Sequence, residues 1–74
     1  MGRYHDKAFV DKIALKIKKL REDEGITQQE FYNDTGIHIG RIESEQRDLP
    51  VSTLKRICQY FGITMSEFLK GMDK

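Results

Sequence analysis

The sequence is poor in cysteine and histidine, and this limits how so small a chain can be stabilised. Cys58 is the single cysteine, so no disulfide can form within the chain. With His5 and His38 as the only histidines, the chain also lacks the ligands of a structural zinc site. We therefore expect no metal and no other cofactor, and a fold stabilised by helix packing, with dimerisation as a further source of stability.

Long apolar runs are also missing. None of the apolar stretches approaches the ~20 residues that a membrane-spanning helix needs. The first nine residues, MGRYHDKAF, lack the apolar segment and the cleavage site of a signal peptide. Together with the lone thiol, these features predict a cytoplasmic protein without membrane contact.

Signatures of catalysis are absent from the sequence as well. It contains no glycine-rich phosphate loop, no HExxH pair and no activated nucleophile beside a base. We therefore expect a protein that is not an enzyme. Its 74 residues suffice for one domain, so residues 1–74 are interpreted as a single unit without a second domain for a small-molecule ligand.

The charge is nearly balanced overall but segregated along the chain. Residues 1–21 carry seven Lys/Arg and two Asp, which gives +5. Residues 22–48 carry two Arg and eight Asp/Glu, which gives −6, and residues 49–74 carry +2. Nucleic-acid binding needs a basic face, which must then come from the first helix and a few placed residues.

What the sequence does contain is apolar residues at intervals of three and four, which predict amphipathic helices and no strand. The first helix is expected to extend from Asp6, its N-cap, to about Glu24, with Gly25 closing it. Its apolar stripe consists of Phe9, Val10, Ile13, Ala14, Ile17 and Leu20.

Two capping boxes mark the start of further helices. Thr27 and Glu30 have the required spacing, which predicts a short helix from about 28 to 33. Thr64 and Glu67 repeat the pattern ahead of a last short helix. In each box, the two side chains satisfy backbone N–H groups of the first helical turn.

Between these boxes the chain predicts a turn and two more helices. Turn-forming residues occupy 33–36, and Asp34 or Thr35 is expected to cap a helix at about 36–45, in which Ile39 and Ile42 point inward. Pro50 suits the first position of the next helix. The apolar stripe of that helix ends at Gly62 and consists of Leu54, Ile57, Cys58 and Phe61.

These segments resemble the phage Cro/lambda-repressor-like (Xre) family of helix-turn-helix proteins over roughly residues 12–69. The resemblance rests on the order and spacing of Leu20-Arg21, Gly25-Ile26-Thr27-Gln28-Gln29-Glu30, Gly40-Arg41-Ile42-Glu43, Leu54-Lys55-Arg56-Ile57 and Phe61 to Glu67. It implies an all-α, compact five-helix bundle with its helix-turn-helix at about 27–45. It also implies a sequence-specific regulator, expected to be a repressor, that binds double-stranded DNA as a homodimer on a pseudo-palindromic site.

The chain departs from the family pattern at three points. The stretch from Gln28 to Glu43 is about three residues shorter than is usual in the family. Phe31-Tyr32 displaces the small residue of the second helix. Glu45 stands where a glycine commonly ends the recognition helix. These departures bear on the angle between the helices and on the base contacts.

The resemblance also implies roles for single residues. Gln28 is expected on a DNA phosphate at the start of the second helix, and Thr27 as a cap whose N–H shares that phosphate. Arg47 is expected against the phosphates after the recognition helix. The DNA-facing surface of that helix is expected to present Thr35, Gly36, His38, Arg41 and Ser44. For His38, a hydrogen bond to a base or phosphate and a side chain that only covers the turn remain equally good explanations. For Gly40, close approach to DNA and packing between helices remain equally good explanations.

Arg21 and Glu43 receive a structural role. The family pattern pairs an arginine late in the first helix with the glutamate that ends the recognition motif. We expect a bidentate, partly buried ion pair that fixes the third helix against the first.

A second function competes with DNA binding. The −6 charge of residues 22–48 is unfavourable beside polyanionic DNA. A protein-interaction module, adaptor-like or antitoxin-like, could use the same fold with its acidic face against a basic partner.

Overall fold

The computed structural model describes residues 6–45 and 49–72, and within them the chain forms five helices and no strand. The helices are α1 (Lys7–Asp23), α2 (Gln28–Thr35), α3 (Ile39–Glu45), α4 (Val51–Tyr60) and α5 (Met65–Leu69). The prediction of a compact, all-α, five-helix fold is therefore confirmed.

Helix α1 begins and ends as its sequence predicts. A carboxylate oxygen of Asp6 accepts a hydrogen bond from the backbone N–H of Phe9 at 3.1 Å, and so caps the first turn. After the helix, Gly25 has a φ of +68°, a left-handed conformation that glycine adopts without a steric penalty. The buried stripe of α1 consists of Val10, Ile13, Ala14 and Ile17.

Both predicted capping boxes are present. In the first, the Thr27 hydroxyl accepts from the backbone N–H of Glu30 at 3.0 Å, and the Glu30 carboxylate accepts from the N–H of Thr27 at 2.9 Å. In the second, Thr64 and Glu67 exchange the same two bonds at 3.0 and 2.8 Å. These pairs fix the starts of α2 and α5, which are too short to be stable alone.

The predicted boundary between α2 and α3 is wrong. Helix α2 continues to Thr35 instead of ending at Asn33, so neither Asp34 nor Thr35 caps the next helix. Gly36, with a φ of +76°, ends α2, and its N–H donates to the carbonyl of Tyr32 at 2.7 Å. Because this left-handed residue cannot belong to a right-handed helix, α3 starts at Ile39 and not at Gly36.

The predicted position of Pro50 is also shifted by one residue. Pro50 is the N-cap of α4, with extended backbone angles, and Val51 is the first helical residue. The prediction that the helix stops at Gly62 is consistent with its left-handed φ of +71°.

The core lies where α1, α2, α3, α4 and α5 meet. Its fully buried side chains are Ile17, Phe31, Ile39, Ile57, Cys58 and Phe68. Helix α1 contacts α3, α2 contacts α3, and α4 contacts α5. Within the described ranges, no helix is long and apolar enough to cross a membrane.

Candidate nucleic-acid interface

Helices α2 and α3 form a helix-turn-helix whose connection is short and tightly bonded. Three residues, 36–38, separate the helices. The Thr35 hydroxyl donates to the carbonyl of Phe31 at 2.8 Å and accepts from the N–H of Ile37 at 3.1 Å. The turn is therefore held by side-chain bonds as well as by the left-handed Gly36.

Helix α4 supports this turn from behind. The Arg56 guanidinium donates to the carbonyl of Thr35 at 3.1 Å, which satisfies one of the open carbonyls at the end of α2. The Tyr60 hydroxyl donates to a carboxylate oxygen of Asp34 at 2.7 Å, and this bond, above all, raises the pKa of Tyr60 to about 12. Neither contact was predicted from the sequence, because no local pattern encodes a contact over more than 20 positions and the family pattern, which indicated the equally distant Arg21–Glu43 pair, did not indicate these two.

Arg21 and Glu43 form a bidentate ion pair. Arg21 Nε lies 3.0 Å from Glu43 Oε2, and Arg21 Nη2 lies 3.1 Å from Oε1. Their side chains are only 11% and 7% exposed. Arg21 Nη1 also donates to the carbonyl of Ile26 at 2.9 Å, and the bond to Glu43 raises the Arg21 pKa. The pair joins the end of α1 to the middle of α3.

The Gln28 side chain extends from the start of α2 to α3. Its side-chain amide donates to Glu43 Oε1 at 3.2 Å. A Cβ atom at Gly40 would lie 2.8 Å from Gln28 Oε1, which is closer than real contacts allow. Gly40 therefore leaves the space that the Gln28 side chain occupies, which favours packing between helices over close approach to DNA as the reason for this glycine.

An open groove of about 620 Å³ follows the joint between α2 and α3. Arg41 and Ser44 lie three positions apart on α3, so they share one face of the helix, and both are exposed. No acidic side chain that the structure describes is part of the groove wall. The residues that line the groove are Gln28, Gln29, Tyr32, His38, Ile39, Gly40, Arg41 and Ser44.

The structure brings some of the predicted DNA-binding residues together and separates others. Gln28, His38, Arg41 and Ser44 line the groove. Thr35 is the last residue of α2, and Gly36 and His38 lie in the turn before α3, so the prediction that these three residues lie on the face of α3 is wrong, although His38 does line the groove. Thr27 is exposed beside Gln28, with its hydroxyl engaged in the capping box. Arg47 lies outside the described residues, and so does the side chain of Glu45.

Tyr32 is also part of this surface, although it was not among the residues predicted from the sequence. Tyr32 is 40% exposed, and its ring stacks on that of His38 with centroids 4.4 Å apart and planes at 30°. The neighbouring Phe31 is fully buried. Successive residues on a helix point about 100° apart, so an inward Phe31 and an outward Tyr32 could have been inferred from the helical period.

Features of other kinds of site are not found in the described part of the chain. It contains no group of three His, Cys, Asp or Glu side chains placed to hold a metal ion. Cys58 is buried, and burial raises its thiol pKa, which makes it a poor nucleophile.

A capped short helix, a tight turn and a second short helix beside an open groove define the helix-turn-helix class of DNA-binding regulators. The family model described as "Helix-turn-helix domain" matches residues 15–74, and the chain belongs to this family. The match agrees with the lambda-repressor-like resemblance. Comparisons with curated proteins and with solved structures gave no significant match.

Proposed function

We propose that the protein is a sequence-specific transcriptional repressor that docks α3 in the major groove of DNA. The observation that carries this proposal is the composition of the α2–α3 groove. Its wall combines Arg41 with polar and aromatic side chains and with Ile39 and Gly40, and none of the described acidic side chains lies there. Such a surface offers hydrogen-bond donors to base edges and phosphates.

The Arg21–Glu43 ion pair reduces the electrostatic objection to DNA binding, because it neutralises the acidic residue of α3 whose side chain the structure describes. Glu43 lies on α3, and its charge would face the DNA if it were exposed. Its carboxylate instead accepts bonds from Arg21 and Gln28, and its side chain is 7% exposed. A carboxylate that is neutralised and screened in this way repels a phosphate much less than a free one does.

Gln28 is suited to a phosphate contact. An amide nitrogen carries two N–H donors, and one of them is used by Glu43. The second is available at the start of α2, where the helix dipole also favours an anion. Because Gly40 leaves room for the side chain, its position does not have to be acquired on binding.

Arg41 is the proposed base-reading residue. It is exposed on α3 and lines the groove one helical turn from Ser44. A guanidinium can donate two bonds to O6 and N7 of guanine, which is a common specific contact in the major groove.

We propose that two copies bind a pseudo-palindromic site, with recognition helices about 34 Å apart, one turn of the DNA. Support comes from the small number of contacts that one such domain can make. Phe68 is fully buried and so is not available for an interface. Tyr60, Phe61, Leu69 and Met72 are partly buried and remain candidates.

A protein-interaction module remains the second candidate. Its supporting observation is the run of exposed acidic residues Glu22, Asp23 and Glu24 at the end of α1. These side chains lie outside the groove wall, so they could meet a basic protein without involving α3. In either case we propose a binding protein and not an enzyme.

Binding to genomic DNA fragments at two salt concentrations separates the candidates. We expect saturable enrichment of a palindromic sequence and an affinity that falls steeply with salt, because phosphate contacts release counterions. Arg41→Ala should abolish the enrichment. Lys70→Ala, which removes an exposed cation after α5, is the matched control and should keep it. No retention of DNA even at low salt would contradict the proposal.

Repression is tested on the selected sequence. When that sequence overlaps a promoter, added protein should lower transcription by purified RNA polymerase, and Arg41→Ala should not. An increase in transcripts would contradict the repressor role while leaving DNA binding intact.

A further inference from the structure

Tyr32 is an aromatic residue of the groove that the proposed function leaves without a role. It is 40% exposed on α2, one position after the buried Phe31. An exposed tyrosine adds little to the core. The described contact of its side chain is the stack on His38, six positions later, at a centroid distance of 4.4 Å.

The backbone of His38 is held on both sides. Before it, Ile37 packs partly buried against the core, and its N–H is bonded to the Thr35 hydroxyl. After it, Ile39 is 1% exposed. With both neighbours anchored, the direction of the His38 side chain depends on its own torsions, and the Tyr32 ring restricts those.

The polar atoms of the stacked pair remain available. Among the described residues, neither the Tyr32 hydroxyl nor the His38 imidazole has a side-chain hydrogen-bond partner. Both side chains line the same groove as Arg41. An imidazole carries at least one ring N–H, so His38 can donate a hydrogen bond to an acceptor that enters the groove.

We propose that Tyr32 is a positioning residue that holds the His38 imidazole ready to donate a hydrogen bond to a purine acceptor, N7 or O6, in the major groove. This inference rests on the proposed docking of α3 on DNA. A side chain that is already ordered loses less conformational entropy on binding, so the stack strengthens the contact without touching the base itself. It also aims the donor at one base pair, so Tyr32 determines specificity through His38.

A double-mutant cycle tests the coupling. The probe is a fluorescein-labelled duplex carrying the sequence that the wild-type protein selects, together with duplexes changed at one base pair at a time. Tyr32→Ala and His38→Ala should each weaken binding by about tenfold and remove the purine preference at the same base pair. The double variant should bind as His38→Ala does, because Tyr32 has nothing left to position.

Conservative variants separate stacking from other roles. Tyr32→Phe keeps the ring and should bind within about twofold of wild type, as expected for a hydroxyl without a DNA contact. Tyr32→Leu keeps most of the bulk without an aromatic face and should behave like Tyr32→Ala. Leu15→Ala, which removes a 65% exposed apolar side chain from α1, is the matched control and should leave binding unchanged. Circular dichroism melts verify that each variant is folded at the assay temperature.

Three results would overturn the inference alone: equal losses from Tyr32→Ala with and without His38, a loss in Tyr32→Phe as large as in Tyr32→Ala, or unchanged base preference in Tyr32→Ala. The first two would indicate a direct contact by Tyr32. If the wild-type protein selects no DNA at all, the proposed function fails and this inference fails with it.

Discussion

At the scale of single residues, three polar contacts fix the recognition helix and its turn. Arg21 binds Glu43, Arg56 binds the carbonyl of Thr35, and Tyr60 binds Asp34. Each contact joins the helix-turn-helix to a helix outside it. Their contributions to the free energy of unfolding differ with burial. Removal of one partner of a buried ion pair leaves the other charge unpaired away from water and costs several kcal/mol, whereas removal of one partner of an exposed pair costs little.

Arg21→Ala should destabilise the domain by about 3 kcal/mol, because it leaves the nearly buried Glu43 carboxylate without its partner. Urea unfolding followed by circular dichroism measures the change. Lys19→Ala is the matched control, since it breaks an exposed ion pair with Asp23 on the same helix and should cost less than about 0.5 kcal/mol. If Arg21→Ala unfolds at the urea concentration of the wild type, the anchoring role is wrong.

The Tyr60–Asp34 bond predicts a pH dependence at the alkaline end. The Tyr60 pKa is raised from 10.0 to about 12 in the folded protein, mainly by its hydrogen bond to Asp34. The stabilisation is therefore complete below pH 10 and is lost as the pH rises through about 12.

Absorbance of tyrosinate at 295 nm, recorded against Tyr60→Phe, should give a titration step near pH 12 for Tyr60. In Asp34→Asn this step should move toward pH 10, because the amide carries no charge to oppose ionisation. Titration of Tyr60 near 10 in the wild-type protein would contradict the hydrogen bond.

At the scale of the elements, the joint between α2 and α3 depends on a glycine. Gly40 lies within α3, where alanine would favour the helix by about 1 kcal/mol. An alanine Cβ would displace only the flexible end of the Gln28 side chain. Gly40→Ala should therefore affect the free energy of unfolding and the affinity for DNA differently.

Gly40→Ala should change the free energy of unfolding by no more than about 1 kcal/mol, while weakening DNA binding because Gln28 is displaced. Fluorescence anisotropy measures the affinity. In a Gln28→Ala background, Gly40→Ala should have no further effect on affinity. An equal loss in that background would show that Gly40 approaches the DNA itself.

How well the sequence predicts these elements depends on how far apart in the chain the interacting residues lie. The capping boxes at Thr27 and Thr64 are local, so both helix starts were predicted correctly. The end of α2 was placed two residues too early, because turn-forming propensity at Asn33 and Asp34 is overridden by contacts from α4. The groove was predicted only in part. The contact between Tyr32 and His38 depends on how the turn folds back, which no local pattern encodes.

At the scale of the whole molecule, the core is small, and the reaction rate of its single thiol measures how often the core opens. Cys58 is 1% exposed, and burial raises its pKa, so thiolate is scarce in the folded state. Its reaction with a disulfide reagent at neutral pH should be slow and should accelerate in parallel with urea unfolding. Arg21→Ala, which opens the fold more often, should react faster in the absence of urea. Rapid reaction of the native wild-type protein would contradict the packing of α4.

The central claim is that the α2–α3 groove is the DNA-binding face, and an NMR titration tests it most directly. Amide and side-chain signals of the ¹⁵N-labelled protein are followed while the selected duplex is added. We predict the largest shifts at Gln28, Tyr32, His38, Gly40, Arg41 and Ser44, with little change at Lys18 and along α5. Shifts concentrated on the exposed face of α1 or on α5, with the groove signals unmoved, would contradict the account.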